Sequence, residues 1–389
     1  MNLLFYLLVF LLVLIVSSTT NKLLPFLPMP LIQILLGIGI GLCLPNNQYH
    51  LDTELFLALV IGPLLFREAQ EADITSILKH WRIVLYLIFP VIFISALSMG
   101  GVAHVLWATL PLAACVAVGA ALGPTDLVAF ASLSQRFSFP KRVSNILKGE
   151  GLLNDASGLV AFRMALIAWT TGTFSLTQAG TSLAISIVGG FAVGFITALI
   201  NRFLHTFLLS VRATDIASEL LLELSLPLLT FFIAEEIHVS GIIAVVVAGI
   251  LKASRFKKIN LLEAQVDTVT ETVWHTVTFM LNGSVFVILG MELEMIAEPI
   301  LKSAFYSKVL LLLSVFLLTF LLFAIRFVMI YGFYVFRIKK LQKSLHKYMK
   351  DMLLLTFSGV KGTVSIATIL LIPTDLEQEY PLLLFLVAG

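Results

Sequence analysis

Thirteen apolar stretches follow one another along this chain, near residues 2–20, 23–44, 54–66, 83–100, 105–134, 146–171, 180–208, 219–236, 238–251, 266–291, 303–335, 352–372 and 380–389. A helix of about 20 apolar residues crosses a bilayer, so the succession predicts an all-α polytopic membrane protein with about thirteen transmembrane helices. The runs 54–66 and 238–251 reach across only if they borrow flanking residues. Strands of a membrane barrel alternate polar and apolar residues; these runs do not, which excludes that class. Composition decides one further point. Charged residues make up 12% and hydrophobic ones 59%, whereas a soluble domain carries about 25% charged, so a water-facing surface is out of reach.

The net charge of +2 leaves no basic surface for nucleic acid. Cys43 and Cys115 both sit inside apolar runs, which argues against a disulfide framework. His50, His80, His104, His205, His238, His275 and His346 are scattered without metal-ligand spacing, so neither a resident metal nor a cofactor is expected. Asn2–Thr20 lacks a basic flank and a small-residue cleavage pattern and reads as a first membrane helix, not a removed leader. The last run, Pro381–Gly389, stops part-way through a would-be helix.

Loop charges test the count independently. Nineteen of the 25 basic residues fall after odd-numbered runs, from Lys22 through Lys252 to Arg337, Lys339, Lys340, Lys343, Lys347 and Lys350. Loops after even-numbered runs hold only Lys302 and Lys308, beside Asp52, Glu292, Glu294, Asp375 and Glu377. The excess of Lys and Arg on cytoplasmic loops then puts the odd exits inside the cell and the N-terminus outside. The basic stretch Arg337–Lys350 reads as a cytoplasmic loop touching anionic membrane lipid.

Four basic residues remain within the runs, Lys148, Arg163, Arg326 and Lys361, at depths shared with Asp126, Glu150 and Asp155. A charge at the bilayer centre costs several kcal/mol, about 2.5–3.5 on the mildest scale, so such groups pair, line water or bind a substrate. In the fifth run, Gly123-Pro124 interrupts the helix, because proline has no amide donor. Asp126 lies just past the break, either as a simple cap of a kink or as a site group. In the sixth, Glu150 and Asn154 share a helix face, as do Gly151 and Asp155. Asp155 reads either as an ion or proton carrier or as a structural partner of Arg163 or Lys148. In the twelfth, Gly359 and Gly362 flank Lys361 and weaken the helix. Two interrupted helices at matching places in two halves point to a midplane site, with Lys361 neutralising the partial charge of its own break.

At these residues the chain resembles the monovalent cation/proton antiporters of the NhaP/NHE type. Thr125-Asp126 matches the family's TD. Glu150 with Asn154-Asp155 matches E-x-x-x-N-D, and Ala234-Glu235, Ser240-Gly241 and Ala248-Gly249 match A-E…S-G…A-G. Gly359-Val-Lys-Gly-Thr-Val-Ser matches G-x-R-G-x-x-S, with lysine for arginine. The resemblance implies an inverted-repeat fold with two crossed discontinuous helices, and a homodimer in the cell membrane. It implies an ion-binding core of runs four to six and eleven to thirteen, and a dimerisation part of runs one to three and seven to ten. Carried over, Asp155 binds Na⁺ (or Li⁺ or K⁺) or H⁺. Asn154 and Asp126 shape the crossing, the Thr125 carbonyl is an ion ligand, and Glu150 pairs with Arg326. Three residues depart from the family pattern: Leu127 for proline, Gly151 for serine, and Arg67 where many relatives are acidic.

One carboxylate that either Na⁺ or H⁺ neutralises couples the two fluxes by competition. An amide at 154 in place of a second carboxylate argues for electroneutral exchange. The rival readings are a K⁺-selective exchanger or a cation channel on the same fold, and an intramembrane aspartyl protease built on Asp126 and Asp155. The protease class wants Tyr-Asp, Gly-x-Gly-Asp and Pro-Ala-Leu motifs, and this chain has none of them.

Overall fold

The computed structural model describes residues 2–43, 53–125, 139–172, 176–211, 215–253, 261–302, 308–341 and 348–359. Among these residues every regular element is helical. Two helices open the chain, α1 (Asn2–Leu23) and α2 (Met29–Cys43). Next come α3 (Thr53–Phe56), a π-helical turn Leu57–Ile61, and α4 (Gly62–Glu71). The short α5 (Ile74–Leu78) precedes α6 (Trp81–Tyr86), a second π-turn Leu87–Val91, and α7 (Ile92–Leu106). The rest are α8 (Leu112–Ala121), α9 (Lys141–Thr171), α10 (Leu176–Ser210), α11 (Ile216–Glu236), α12 (Gly241–Ala253), α13 (Leu261–Lys302), α14 (Lys308–Leu341) and α15 (Met349–Phe357).

Both π-turns have a proline as their cause. Pro90 lies inside the second and Pro63 two residues past the end of the first, and each removes an amide that a regular helix would use. The ladder loosens by one residue, as in the bond from the Gly62 amide to the Leu57 carbonyl. Among the described residues six helical spans are long and apolar enough to cross a membrane: Trp81–Leu106, Lys141–Thr171, Gly180–Ser210, Ile216–Glu236, Thr268–Leu293 and Lys308–Arg337.

The chain divides into two compact units. The first comprises 1–50, 75–174 and 285–389. Its interior is built from small residues, with Ala96, Met99 and Ala103 of α7 against Ala114, Ala117 and Ala121 of α8, closed by Phe162 of α9 and Leu318 of α14. Small side chains let helix backbones approach closely, which is how helices gain packing energy in lipid. A second layer joins Ile83 and Leu87 to Val143 and Ile146 of α9, Ile330 and Tyr334 of α14, and Leu355 of α15. Helices α1 and α2 fall in this unit, where Gly37 of α2 meets the backbone of Gly290 of α13.

The second unit comprises 51–74 and 175–284. Its centre is α12, with Ala244, Val245, Val246 and Ala248 buried. Gly249 lets α12 lie directly on α4, since a Cβ there would stand 2.6 Å from the Phe66 carbonyl oxygen. Phe66 in turn packs on Trp274 of α13, ring centres 5.9 Å apart. Large apolar side chains of α10, Val188, Phe191 and Phe203 among them, stay exposed, as befits a face that meets lipid and not water.

Candidate functional site

The site grows out of the point where α8 stops. The Leu122 amide closes on the Val118 carbonyl at 3.0 Å and Gly123 on Ala120 at 3.2 Å, after which Pro124 offers no donor. Thr125 follows, 5% exposed, and α9 passes beside it. Gly158 of α9 makes that approach possible, because a Cβ at this position would run into the Pro124 ring.

Asn154 of α9 is fully buried and donates from Nδ2 to the Thr125 carbonyl oxygen at 3.2 Å and to Thr125 Oγ1 at 2.5 Å. A carbonyl oxygen only accepts, so this contact fixes which way the amide faces. Its other end, Oδ1, is buried with no hydrogen-bond partner among the described residues. Such an oxygen costs about 1–3 kcal/mol unless water or a cation meets it. Thr125 passes the chain on: its hydroxyl donates to Glu150 Oε1 at 3.3 Å.

Glu150, one helical turn before Asn154, faces Arg326 of α14 fork to fork. Arg326 completes its set by donating from Nε to the Leu355 carbonyl at 3.0 Å, in the last turn of α15. That helix ends at Phe357, and Gly359 lies flat beneath the guanidinium, where a Cβ would stand 2.7 Å from Nε. The cation therefore sits on the partly negative end of α15. One continuous series of contacts runs from the end of α8 to the end of α15, through Thr125, Glu150, Arg326 and Leu355. On the far side of α9, the Ser157 hydroxyl lies 3.0 Å from the Ile88 carbonyl in the second π-turn, which anchors α9 to the Pro90 irregularity.

The sequence-derived residues fall as follows. Thr125, Asn154, Glu150 and Arg326 come together. Asp155 occupies the next position of α9 after Asn154, but its side chain lies outside the described residues, as do Asp126, Leu127 and Lys361. Lys148 is exposed and Arg163 half-buried. Gly151 is buried on α9. Arg67 bonds along its own helix, Nε to Glu71 Oε1 at 2.7 Å.

Two features escaped sequence reasoning. Arg326 donates to the Leu355 carbonyl at the end of α15, a contact that the sequence does not announce; the expected neutralisation by Lys361 lies outside the described residues. Lys252 was counted as a loop charge, yet its Nζ lies 2.8 Å from Glu223 Oε2 and 3.0 Å from Asn201 Oδ1, and Gln70 also donates to Glu223. This second polar cluster ties α4, α10, α11 and α12 together within the second unit. The only available signal was a lysine at the last turn of a helix, a position that ordinarily faces solvent.

The sequence pattern of the family described as "Sodium/hydrogen exchanger, transmembrane" matches residues 7–388. The chain belongs to the sodium/hydrogen exchanger family. It is a multi-pass membrane protein, as the six long apolar helices require. A sodium, potassium, lithium and rubidium/H⁺ antiporter of Bacillus subtilis is 35% identical over 397 residues, covering 100% of this chain and 59% of that protein. Its counterpart from Bacillus pumilus is 33% identical over 380 residues, covering 96% of this chain and 57% of that protein. The chain thus spans somewhat over half the length of these relatives. The sodium proton antiporter MjNhaP1 of Methanocaldococcus jannaschii superposes with a TM-score of 0.70 at 18% identity, covering 100% of this chain and 94% of that one. This exchanger-family chain therefore shares the antiporter fold of MjNhaP1. Among its described residues no group of three or more His, Cys, Asp or Glu side chains is arranged to hold a metal.

Proposed function

We propose that this chain is a secondary transporter that exchanges a monovalent cation for a proton, the two competing for the Asp155 carboxylate. The observation that carries the reading is the Asn154 side chain. It is locked by Thr125, and one residue from Asp155 it leaves a buried oxygen with no hydrogen-bond partner among the described residues. An amide oxygen is a hard ligand suited to Na⁺ or to an ordered water. Thr125 contributes its carbonyl, which keeps a free lone pair beside the Asn154 bond, and Asp126 shapes the crossing. Glu150 is spoken for by Arg326, so it holds architecture and not cargo.

Exchange follows from desolvation. A bare carboxylate is penalised when it must cross a dry barrier, so the carrier moves with Asp155 neutralised by one cation or one proton. With a neutral amide at 154, one charge leaves for each that enters, and the cycle is electroneutral. Helices of runs four to six and eleven to thirteen act as the ion-binding core and the others as scaffold. The working form is a homodimer in the cell membrane, N-terminus outside, as the resemblance and the loop charges support. The cation is Na⁺, with Li⁺ and K⁺ also accepted, a range supported by the names of the two Bacillus relatives.

The test is counter-transport in proteoliposomes, followed with a pH dye under imposed Na⁺, Li⁺ or K⁺ gradients. Asp155→Asn abolishes exchange while the protein elutes and melts as wild type. Wild-type rates from that variant reject the proposal.

A further inference from the structure

One corner of the first unit gathers positive charge that ion exchange does not use. There α14 leaves its apolar span at Arg337, α9 begins at Lys141, and α15 begins at Met349. The Arg142 guanidinium lies over two neighbouring rings, 5.5 Å from the centre of Tyr334 and 5.1 Å from that of Tyr348, whose centres are 5.6 Å apart. Pro140 and Tyr348 occupy the capping positions of α9 and α15, and neither supplies a side-chain cap. First-turn amides of a helix lack partners within it and favour an anion. Lys141 and Lys350 are exposed at the same two helix starts. Among the described residues Asp351 is the acid in contact, 3.8 Å from Arg142 Nη1.

A second observation points to an occupant. Tyr334 is 1% exposed, and its hydroxyl has no hydrogen-bond partner among the described residues. Arg142 lies over its ring, and Arg337 follows Tyr334 by one turn of α14. A buried phenol beside the Arg142 guanidinium is a donor waiting for an acidic oxygen.

We propose that this corner binds the phosphate of an anionic phospholipid headgroup. Arg142, positioned by the two rings, offers the planar fork that matches two phosphate oxygens. Tyr334 donates to the phosphate, and Arg337, Lys141 and Lys350 supply the surrounding field. Lipid is favoured over free phosphate because these groups stand where apolar spans end, at the depth of the headgroups. Below them α14 exposes Phe336 and Val328, apolar surface for the acyl chains. Asp351 opposes the anion and keeps the site exchangeable.

The experiment is native mass spectrometry of the intact protein in mixed micelles of equimolar phosphatidylglycerol and phosphatidylcholine. Wild type retains about fivefold more phosphatidylglycerol than phosphatidylcholine, the scale of one well-placed basic contact. Arg142→Gln and Tyr334→Phe each remove most of that preference, Lys22→Gln at another helix end leaves it intact, and Asp351→Asn raises it. The rise with Asp351→Asn separates binding from misfolding, since a damaged fold does not gain selectivity. Equal retention of the two lipids by wild type overturns the proposal, as does a preference untouched by Arg142→Gln and Tyr334→Phe. Complete displacement of the lipid by millimolar inorganic phosphate also overturns it, and assigns the corner to a soluble anion.

Discussion

Arg326 Nη1 lies 2.6 Å from Glu150 Oε1 and Nη2 lies 2.8 Å from Oε2, a two-pronged pair across 176 residues of sequence with both partners nearly inaccessible. Burying two charges is costly, and the attraction between them offsets this only when geometry is good and the remaining donors are satisfied. Here Nε is satisfied by Leu355 and Oε1 receives the Thr125 hydroxyl. The pair therefore fixes position: it sets the end of α15 against the break after α8.

Removing one partner strands the other. Arg326→Ala and Glu150→Ala each lower stability by about 3–5 kcal/mol, read as a fall in thermal midpoint in detergent. Arg326→Lys recovers only part of it, because a point charge cannot serve both carboxylate oxygens and the Leu355 carbonyl together. Replacing both charges by apolar residues of similar volume restores most of the stability but not exchange, since the two breaks lose their common tether. Full exchange by the apolar double variant would reduce the pair to packing alone.

Gly359 is tested by a single methyl. Gly359→Ala places a Cβ 2.7 Å from Arg326 Nε and 2.8 Å from Cζ. Overpacking of this kind costs about 1–3 kcal/mol, here by tilting the guanidinium off Glu150. Exchange falls with it, and proteoliposome rates compared with Gly332→Ala, where a Cβ meets open space, isolate the effect.

Position 154 controls charge balance. Asn154→Asp adds a second carboxylate and removes the donors to Thr125. Exchange by wild type is expected to ignore an imposed membrane potential, whereas the variant becomes voltage-dependent. Rates measured under potassium diffusion potentials decide this. Potential-sensitive exchange by wild type would contradict the electroneutral cycle.

A pH effect follows at the entry to α11. The Asp215 carboxylate accepts from the Ser218 amide at 2.8 Å, and its bonds to Ser218 hold its pKa below the usual carboxylate value. A group whose folded pKa is depressed adds stability at neutral pH and surrenders it as pH falls through the ordinary value to the lowered one. The protection factor of the Ser218 amide, its exchange relative to the intrinsic rate at each pH, should therefore fall on acidification. Asp215→Asn keeps an acceptor at the cap and flattens that dependence.

Much of the architecture is written locally. The runs at 180–208 and 303–335 became α10 and α14, because a long apolar run in lipid has no alternative to satisfying its own backbone bonds. The break at Gly123-Pro124 was legible because proline removes a donor wherever it stands. The pairing of Glu150 with Arg326 entered through family resemblance, since nothing in either residue's neighbourhood names its partner. Lys252 shows the limit most sharply. At a helix end it looks like a loop charge, and only the approach of α4 and α11 turns it inward onto Glu223.

By itself, then, the order of residues determined that this protein lives in a membrane as helices, and where two of those helices must stop. Periodicity, proline chemistry and the cost of exposed backbone in lipid act over a few residues, so they are visible in one dimension. Tertiary structure alone decided which carbonyl Arg326 meets, why Gly359 has no side chain, and which end of the Asn154 amide is left open. Those outcomes depend on distances of about 3 Å between groups far apart along the chain, and only close packing brings such groups within reach of each other.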